Sequence, residues 1–421
     1  MSAVATARHH LIVGAGTAGL SAVEAIRRAC PDDAVTILSV EPDPPYSPTV
    51  LPHLLAGRID ETRIALRPES FFARGRCQLR LGAEVTALDA ERRQVRLDDG
   101  AALGYDTLLL ASGSESLRPA LENPHGVELL AFTRLGDLRA LRTRLGDGAR
   151  VAVLGAGLIG MELAEALVHL GRGIRVTVIE QERQVLPRSF DAELAGEIAA
   201  LFESRGVALR LGRRATALER VGRGVALTLS DGRREPADVV VACVGVRPRA
   251  GFLAGAGLAT RRGVLVDRRM ATSLPGVWAA GDVAEGPAAD GTSGVHPVLP
   301  TAAGQGRVAG LNMAGRPVEH EGWLAANAFN FFGRVAVTVG ATEIRPEWTS
   351  VARTRGPARG RLVFDGARLV GASFVEVAVD PGALSWLIRQ GVPAREHAEL
   401  LLARPVEGAR WLAALSQREV A

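Results

Sequence analysis

Two stretches of the chain carry the same order of apolar and polar positions. "HHLIVGAGTAGLSAVEAIRR" (9–28) and "ARVAVLGAGLIGMELAEALVHLG" (149–171) each open on a short apolar run, cross a glycine turn, and continue with apolar residues at helical spacing. A short apolar run bounded by a turn reads as a buried strand, and the 3.6-residue period behind it reads as an amphipathic helix. Each stretch then reaches a second apolar run ending in an acid, "AVTILSVE" at Glu41 and "RVTVIE" at Glu180. Farther on, "GAEVTALDAERRQVRLDDGAALGYDTLLLASG" (82–113) parallels "GRRATALERVGRGVALTLSDGRREPADVVVACVG" (212–245). Both alternate with period two, carry an Asp-Gly hairpin signal, and end on a buried strand followed by Gly. One strand–turn–helix unit is therefore predicted twice, each time with an inserted β-meander.

A third block, "ATSLPGVWAAGDVA" (271–284), predicts a short strand running into Gly281-Asp282, with a helix near "LPTAAGQGRVAGLNMAG" (299–315). After Glu321 the pattern turns to the short strands "FNFFGRVAVTVG" (329–340) and "RLVFDGARLVGASFVE" (361–376), then to a helical tail. Phe329–Phe332, Trp386 and Trp411 offer either a docking surface or the filling of a small α+β core, the core being the commoner use of such aromatics.

Composition narrows the classes. At 421 residues, 47% hydrophobic and 23% charged, the chain is globular and long enough for two or three domains. The net charge of +4 is small, every Lys/Arg position is arginine, and these are scattered. No basic stripe suggests nucleic acid. Runs such as "VVVACVGV" (239–246) are strand-length, short of a membrane span. The glycine turn begins by Gly14, which leaves no room for a secretory leader, so the expectation is a cytoplasmic protein. Cys30, Cys77 and Cys243 lie far apart with no CxxC, which argues against a disulfide framework, zinc or a cluster of its own. No metal site is predicted.

Gly14-x-Gly16-x-x-Gly19 falls after a strand and opens a helix, where its mechanism needs it. The first glycine makes the turn, the second admits a pyrophosphate, the third lets helix and strand pack, and the diphosphate rests on the helix N-terminus. Glu41 is placed to accept from a ribose hydroxyl. Gly155-x-Gly157-x-x-Gly160 with Glu180 repeats the arrangement. A carboxylate at Glu180 favours NAD(H) over NADP(H), since it repels a 2′-phosphate. Arg183, close by, is read as a solvated loop residue.

With these motifs the chain resembles the two-dinucleotide-binding, glutathione-reductase-like flavoprotein oxidoreductases over roughly residues 9–315. The fold class implied is α/β: two Rossmann-like dinucleotide-binding domains with β-meander insertions plus a C-terminal α+β domain. The resemblance implies a split FAD domain (1–114 and 245–320), an NAD domain (115–244) and a C-terminal interface domain (321–421). It implies FAD at the first motif and NAD(H) at the second. The family's closing Gly-Asp is matched by Gly281-Asp282, with Asp282 on the ribityl chain of the flavin. Its "ATG" appears as Ala111-Ser112-Gly113, and its "GxRPN" as "GVRPR" from Gly245. The helix near Pro300 is expected to aim its amides at the flavin pyrimidine edge, with Thr301 as the contact. Glu162 is expected near nicotinamide and flavin as the catalytic candidate. Its usual lysine partner is missing, and His53 and Arg58 are candidates for that place, ordinary helix surface being the commoner explanation for both.

Disulfide reductases of this superfamily place a cysteine pair, and oxidases a single cysteine, in the segment matching "YSPTVLP" (46–52); this chain has Thr49 there. A hydroxyl cannot cycle through thiolate and sulfenic states. No redox-active cysteine is predicted, so electrons are expected to leave from the flavin to an iron–sulfur partner. "PPYSPTVLPHLLAG" (44–57) resembles the matching segment of the epsilon subunit of phenylglyoxylate dehydrogenase and of the FAD subunit of tungsten-dependent aldehyde oxidoreductase complexes. Similar segments occur in nitrite-reductase and rubredoxin-reductase relatives. The implied activity is an NAD(H):acceptor oxidoreductase subunit partnered by an iron–sulfur subunit and a tungsten- or thiamine-dependent catalytic subunit. The competing readings are a stand-alone NADH oxidase or rubredoxin/ferredoxin-type reductase, and a non-enzymatic, redox-regulated binding protein.

Overall fold

The duplicated apolar runs become two parallel sheets. The computed structural model describes residues 7–222, 224–342 and 345–420, and it divides into two compact units. The first comprises the chain through Leu51, Ile59–Ser116 and Val246–Trp323; the second comprises Pro52–Arg58, Leu117–Gly245 and Leu324 onward.

In the first unit a five-stranded parallel sheet runs Val277–Ala279, Thr107–Leu110, His9–Val13, Ala34–Leu38, Cys77–Arg80 in spatial order. Leu11, Ile12, Ile37, Leu108 and Leu109 are fully buried, as strands covered on both faces require. Each such side chain contributes about 1.5–3 kcal/mol by leaving water. The helices Thr17–Ala29 and Leu299–Met313 pack backbone to backbone. A Cβ on Gly306 would stand 2.1 Å from the Ala18 carbonyl oxygen, and one on Gly310 2.6 Å from that of Ala22. Small residues at i and i+4 on both helices set that approach.

In the second unit a four-stranded parallel sheet runs Ala208–Leu211, Arg175–Glu180, Arg150–Leu154, Val239–Ala242. The meanders appear as antiparallel three-stranded sheets, one in each unit: Val85–Asp89, Gln94–Leu97, Ala102–Gly104 and Ala215–Val221, Gly224–Leu229, Arg234–Ala237. The C-terminal part of this unit is a five-stranded antiparallel sheet covered by Pro381–Arg389, Ala398–Ala403 and Pro405–Val420. Two details differ from the sequence reading. "FNFFGRVAVTVG" is a hairpin, Ala326–Phe331 with Arg334–Gly340, and the edge strand Thr349–Arg355 was not anticipated. The phenylalanine run is core rather than docking surface. Phe329 and Phe331 are buried, Phe329 packing on Phe190 and Phe331 on Phe202. Trp411 is half-exposed beside His397.

Among the described residues no helix is long and apolar enough to cross a membrane.

Candidate functional site

The two glycine loops share one geometry. Gly14 (φ +113°) and Gly155 (φ +103°) turn the chain in a conformation that other residues rarely adopt. A Cβ on Gly14 would lie 2.0 Å from the Ala111 carbonyl oxygen, and one on Gly155 2.4 Å from that of Cys243. Gly19 and Gly160 each sit against the carbonyl of their own loop's first glycine, at 2.0 Å for an added Cβ. Gly16 and Gly157 differ: a Cβ there meets nothing within 4 Å. They are the N-cap residues of Thr17–Ala29 and Leu158–Leu170, neither helix has a side-chain cap, and neither has an acid in its first turn. Elsewhere the chain does cap its helices, Asp191 serving Ala192–Ser204 and Asp380 serving Pro381–Arg389. The glycine-loop helices thus present side-chain-uncapped amides and a positive dipole end beside Gly16 and Gly157, the kind of place where an anionic diphosphate is favoured. Leu299–Met313 is likewise uncapped, and Thr301 in its first turn is buried.

The two acids are not equivalent. Glu180 ends its strand and is buried; its carboxylate accepts from the Ala156 N–H (2.7 Å) and the Glu182 N–H (2.9 Å). The acid is thereby locked against the glycine loop. Glu41, expected to end a strand, lies beyond it, because pairing with the neighbouring strand stops at Leu38 opposite Arg80. There it accepts from the Tyr46 hydroxyl at 2.6 Å. Arg183 is exposed.

The Gly-Asp block is tied to its neighbours by a set of polar bonds. Ser114 Oγ–H donates to Asp282 Oδ2 at 2.7 Å. Burial pushes the Asp282 carboxyl above the usual range, the Ser114 bond pulling it back. Among the described residues no other side chain bonds this carboxylate, so it can take a ligand hydroxyl. Gly281 (φ +77°) donates its N–H to Gln305 Oε1 at 2.9 Å, which ties the block to Leu299–Met313. Ser112 Oγ–H donates to the Arg249 carbonyl (2.7 Å) and the Gly113 carbonyl accepts the Arg249 N–H (2.9 Å), so "ASG" and "VRPR" clasp each other. Gly245 (φ +112°) accepts the Leu117 N–H at 2.9 Å. Thr301 Oγ1 is 2.8 Å from His296 Nδ1, and the His296 ring stacks on Trp323 at 4.6 Å. Burial depresses His296 to about 4. Ser114 and His296 were not found from sequence.

Glu162 is half-buried on Leu158–Leu170, and its carboxyl is pushed up to about 7, first by burial and then by the charge of Glu165. Arg58, a candidate for the missing lysine, pairs with Glu165 (3.3 Å) instead. His53 is exposed on the short helix Leu51–Leu55.

Of the three thiols Cys77 is buried, and Cys30 and Cys243 are partly buried. Cys77 opens its strand and burial raises it to about 11; Cys243 follows its strand and burial raises it to about 12. Cys30 caps Thr17–Ala29 and is raised by burial and by Asp33. Thr49 is exposed, with its hydroxyl 2.8 Å from Ser47 Oγ.

Comparison with known proteins gives one consistent result. Residues 8–306 match the family described as pyridine nucleotide-disulphide oxidoreductase. The NADH-dependent phenylglyoxylate dehydrogenase subunit epsilon of Aromatoleum evansii is 36% identical over 386 residues, covering 90% of this chain and 91% of that protein. The ferredoxin–NAD(+) reductase component of the biphenyl dioxygenase system of Paraburkholderia xenovorans is 36% identical, over 66% of this chain and 68% of its own. The putidaredoxin reductase–putidaredoxin complex superposes with a TM-score of 0.86 at 25% identity, over 97% of this chain and 99% of that one.

Proposed function

Because this chain belongs to the pyridine nucleotide-disulphide oxidoreductase family, we propose that it is the flavin subunit through which NAD(H) exchanges electrons with an iron–sulfur partner protein. It is an NAD(H)-dependent flavoprotein reductase related to ferredoxin and rubredoxin reductases. FAD and NAD(H) are its cofactors. Bound flavin supplies the exchange between a hydride pair and single electrons.

The residues present fit both groups. Gly16 and Gly157 leave the open space a diphosphate needs, and the uncapped amides behind them supply donors. In our reading the first loop, Glu41, the Ser112–Ser114 segment, Gly281, Asp282 and Thr301 hold FAD. The second loop, Glu180 and Gly245 hold NAD(H), the carboxylate of Glu180 favouring an unphosphorylated ribose. Asp282, steadied by Ser114, accepts from a flavin hydroxyl. Glu162, raised to about 7, would be the residue to hold or release a proton near neutral pH at the nicotinamide. In this arrangement the FAD body comprises 1–114 and 245–320, the NAD body 115–244, and 321–421 the interface domain.

One observation carries the one-electron partner: the position of the family's reactive thiol is Thr49, and all three cysteines are held in their thiol form. With no sulfur relay of its own, the chain in our reading passes electrons from the flavin directly to an external acceptor. The similarity to the epsilon subunit over nine-tenths of both chains supports a place in a multi-subunit aldehyde or 2-oxoacid oxidoreductase.

The test is purification with its native neighbours. A yellow chain that NADH bleaches, that passes electrons to an iron–sulfur protein faster than to oxygen, and that co-purifies with cluster-bearing subunits is the expected outcome. Fast oxygen turnover by the isolated chain would make it a stand-alone oxidase instead.

A further inference from the structure

Glu165 is an acid inside the otherwise apolar run Leu163–Leu167 of the helix that carries Glu162, and it is buried. Two other chain segments of the second unit reach its Oε1, and so does a histidine of its own helix. Arg58 Nη2 donates from the segment Pro52–Arg58 at 3.3 Å, and the Phe332 N–H donates from the turn of the C-terminal hairpin at 3.0 Å. His169, one turn along the helix, brings Nδ1 to 3.7 Å.

The cluster is rigid for identifiable reasons. Arg58 also reaches His169 Nε2 at 2.8 Å. A guanidinium has no lone pair to accept with, so Nε2 accepts and the ring hydrogen sits on Nδ1, facing the Glu165 carbonyl 3.0 Å away. Phe332 stacks on His169 at 5.3 Å, packs edge-on to Phe202 at 5.0 Å, and lies under Arg205 at 5.2 Å. Its backbone is held at φ +50°, a conformation a bulky residue keeps only where its surroundings impose it.

We propose that Glu165 is a positioning residue for Glu162: an ion-paired carboxylate, tied to Arg58 and to the Phe332 amide, that sets a negative charge one helical turn from the Glu162 side chain. Residues at i and i+3 on a helix are neighbours, about 5–6 Å apart at Cβ, and like charges there oppose each other. Among the described residues Glu165 is the charged side chain bearing on Glu162, and the cation that pairs with Glu165 is Arg58. The direction in which Glu162 is shifted agrees with that arrangement. The consequence for catalysis rests on the reading of Glu162 as the residue beside the nicotinamide.

Infrared titration of the holoprotein tests it, with Glu162→Gln identifying the protonated-carboxyl band. Glu165→Gln should move the midpoint of that band down by roughly one pH unit. Arg58→Gln, which strips positive charge from Glu165, should move it up. A role confined to packing predicts no such opposition of sign. Unmoved midpoints in both variants, or shifts in the same direction, would overturn the assignment. If the band shifts as expected while the pH profile of NADH-driven flavin reduction stays put, Glu165 keeps this role and the placing of Glu162 at the nicotinamide fails.

Discussion

Ser114 donates its hydroxyl hydrogen to Asp282 across 168 residues of chain, at 2.7 Å. The bond joins the residue just past Ala111-Ser112-Gly113 to the Gly281-Asp282 block. It holds in place a carboxylate whose burial disfavours its charge. Removing the hydroxyl leaves that carboxylate without its side-chain donor, a loss of about 1.5–3 kcal/mol for a hydrogen bond to a charged group. Ser114→Ala should therefore lose flavin at least about tenfold more readily. The flavin-to-protein absorbance ratio after dilution and desalting reads this directly, and an unchanged ratio would detach Asp282 from the flavin.

The second glycine loop makes a differential prediction. Gly157 faces open space, so Gly157→Ala should leave the melting temperature untouched while NADH binding falls by about tenfold or more. Gly155 combines φ +103° with a carbonyl 2.4 Å from any added Cβ. Gly155→Ala should therefore cost roughly 1–3 kcal/mol of stability as well. Calorimetry beside NADH titration separates the two outcomes. Equal effects on melting at both positions would mean that the loop is structural scaffolding and not a cradle.

His296 gives a pH dependence with a definite sign. Its folded-state value of about 4 lies below the ordinary 6.5, so the unfolded chain takes up the proton first. The stability it permits is whole above about pH 6.5 and declines as the pH falls toward about 4, by up to about 3 kcal/mol. His296→Gln should flatten urea-denaturation midpoints across that window. It removes the titrating ring while leaving an amide to meet Thr301. A slope that survives the substitution must come from other groups.

Much of this architecture was legible because its requirements are local. A glycine that must turn at positive φ, a second that must leave space, and a third that must touch backbone impose their spacing on the sequence, and both loops repeat it. Glu180 was legible for the same reason, as it closes the strand that forms the loop floor. The end of the strand before Glu41 was misjudged by three residues, because pairing to both neighbours, His9–Val13 and Cys77–Arg80, stops at Leu38. Thr349–Arg355 escaped notice because an edge strand with nearly every side chain exposed carries no alternation to read. Ser114 has no local signature, since its partner comes from the far end of the domain. Glu165 did leave a signal, since an acid within "LAEAL" needs a partner, but Arg58 stands 107 positions away and only the fold identifies it.

The absence of a sulfur relay can be tested by removing all sulfur that could serve. Cys77 and Cys243 are held near 11 and 12 by burial, and Cys30 is raised in the same direction, so thiolate is scarce at neutral pH at each position. Alanine at all three positions removes side chains that act as small hydrophobes, at a cost of about 1 kcal/mol each. Reduction of the bound flavin by NADH, and of an iron–sulfur acceptor by the reduced protein, should stay within about twofold of the parent rates, because no electron crosses a thiol. Treating the parent protein with iodoacetamide before assay should be equally without effect. Loss of acceptor reduction with retention of flavin bleaching would locate a cysteine between flavin and acceptor. Thr49 would then have misled the reading of this segment, since a thiol elsewhere in the fold would be carrying out the chemistry that its hydroxyl cannot.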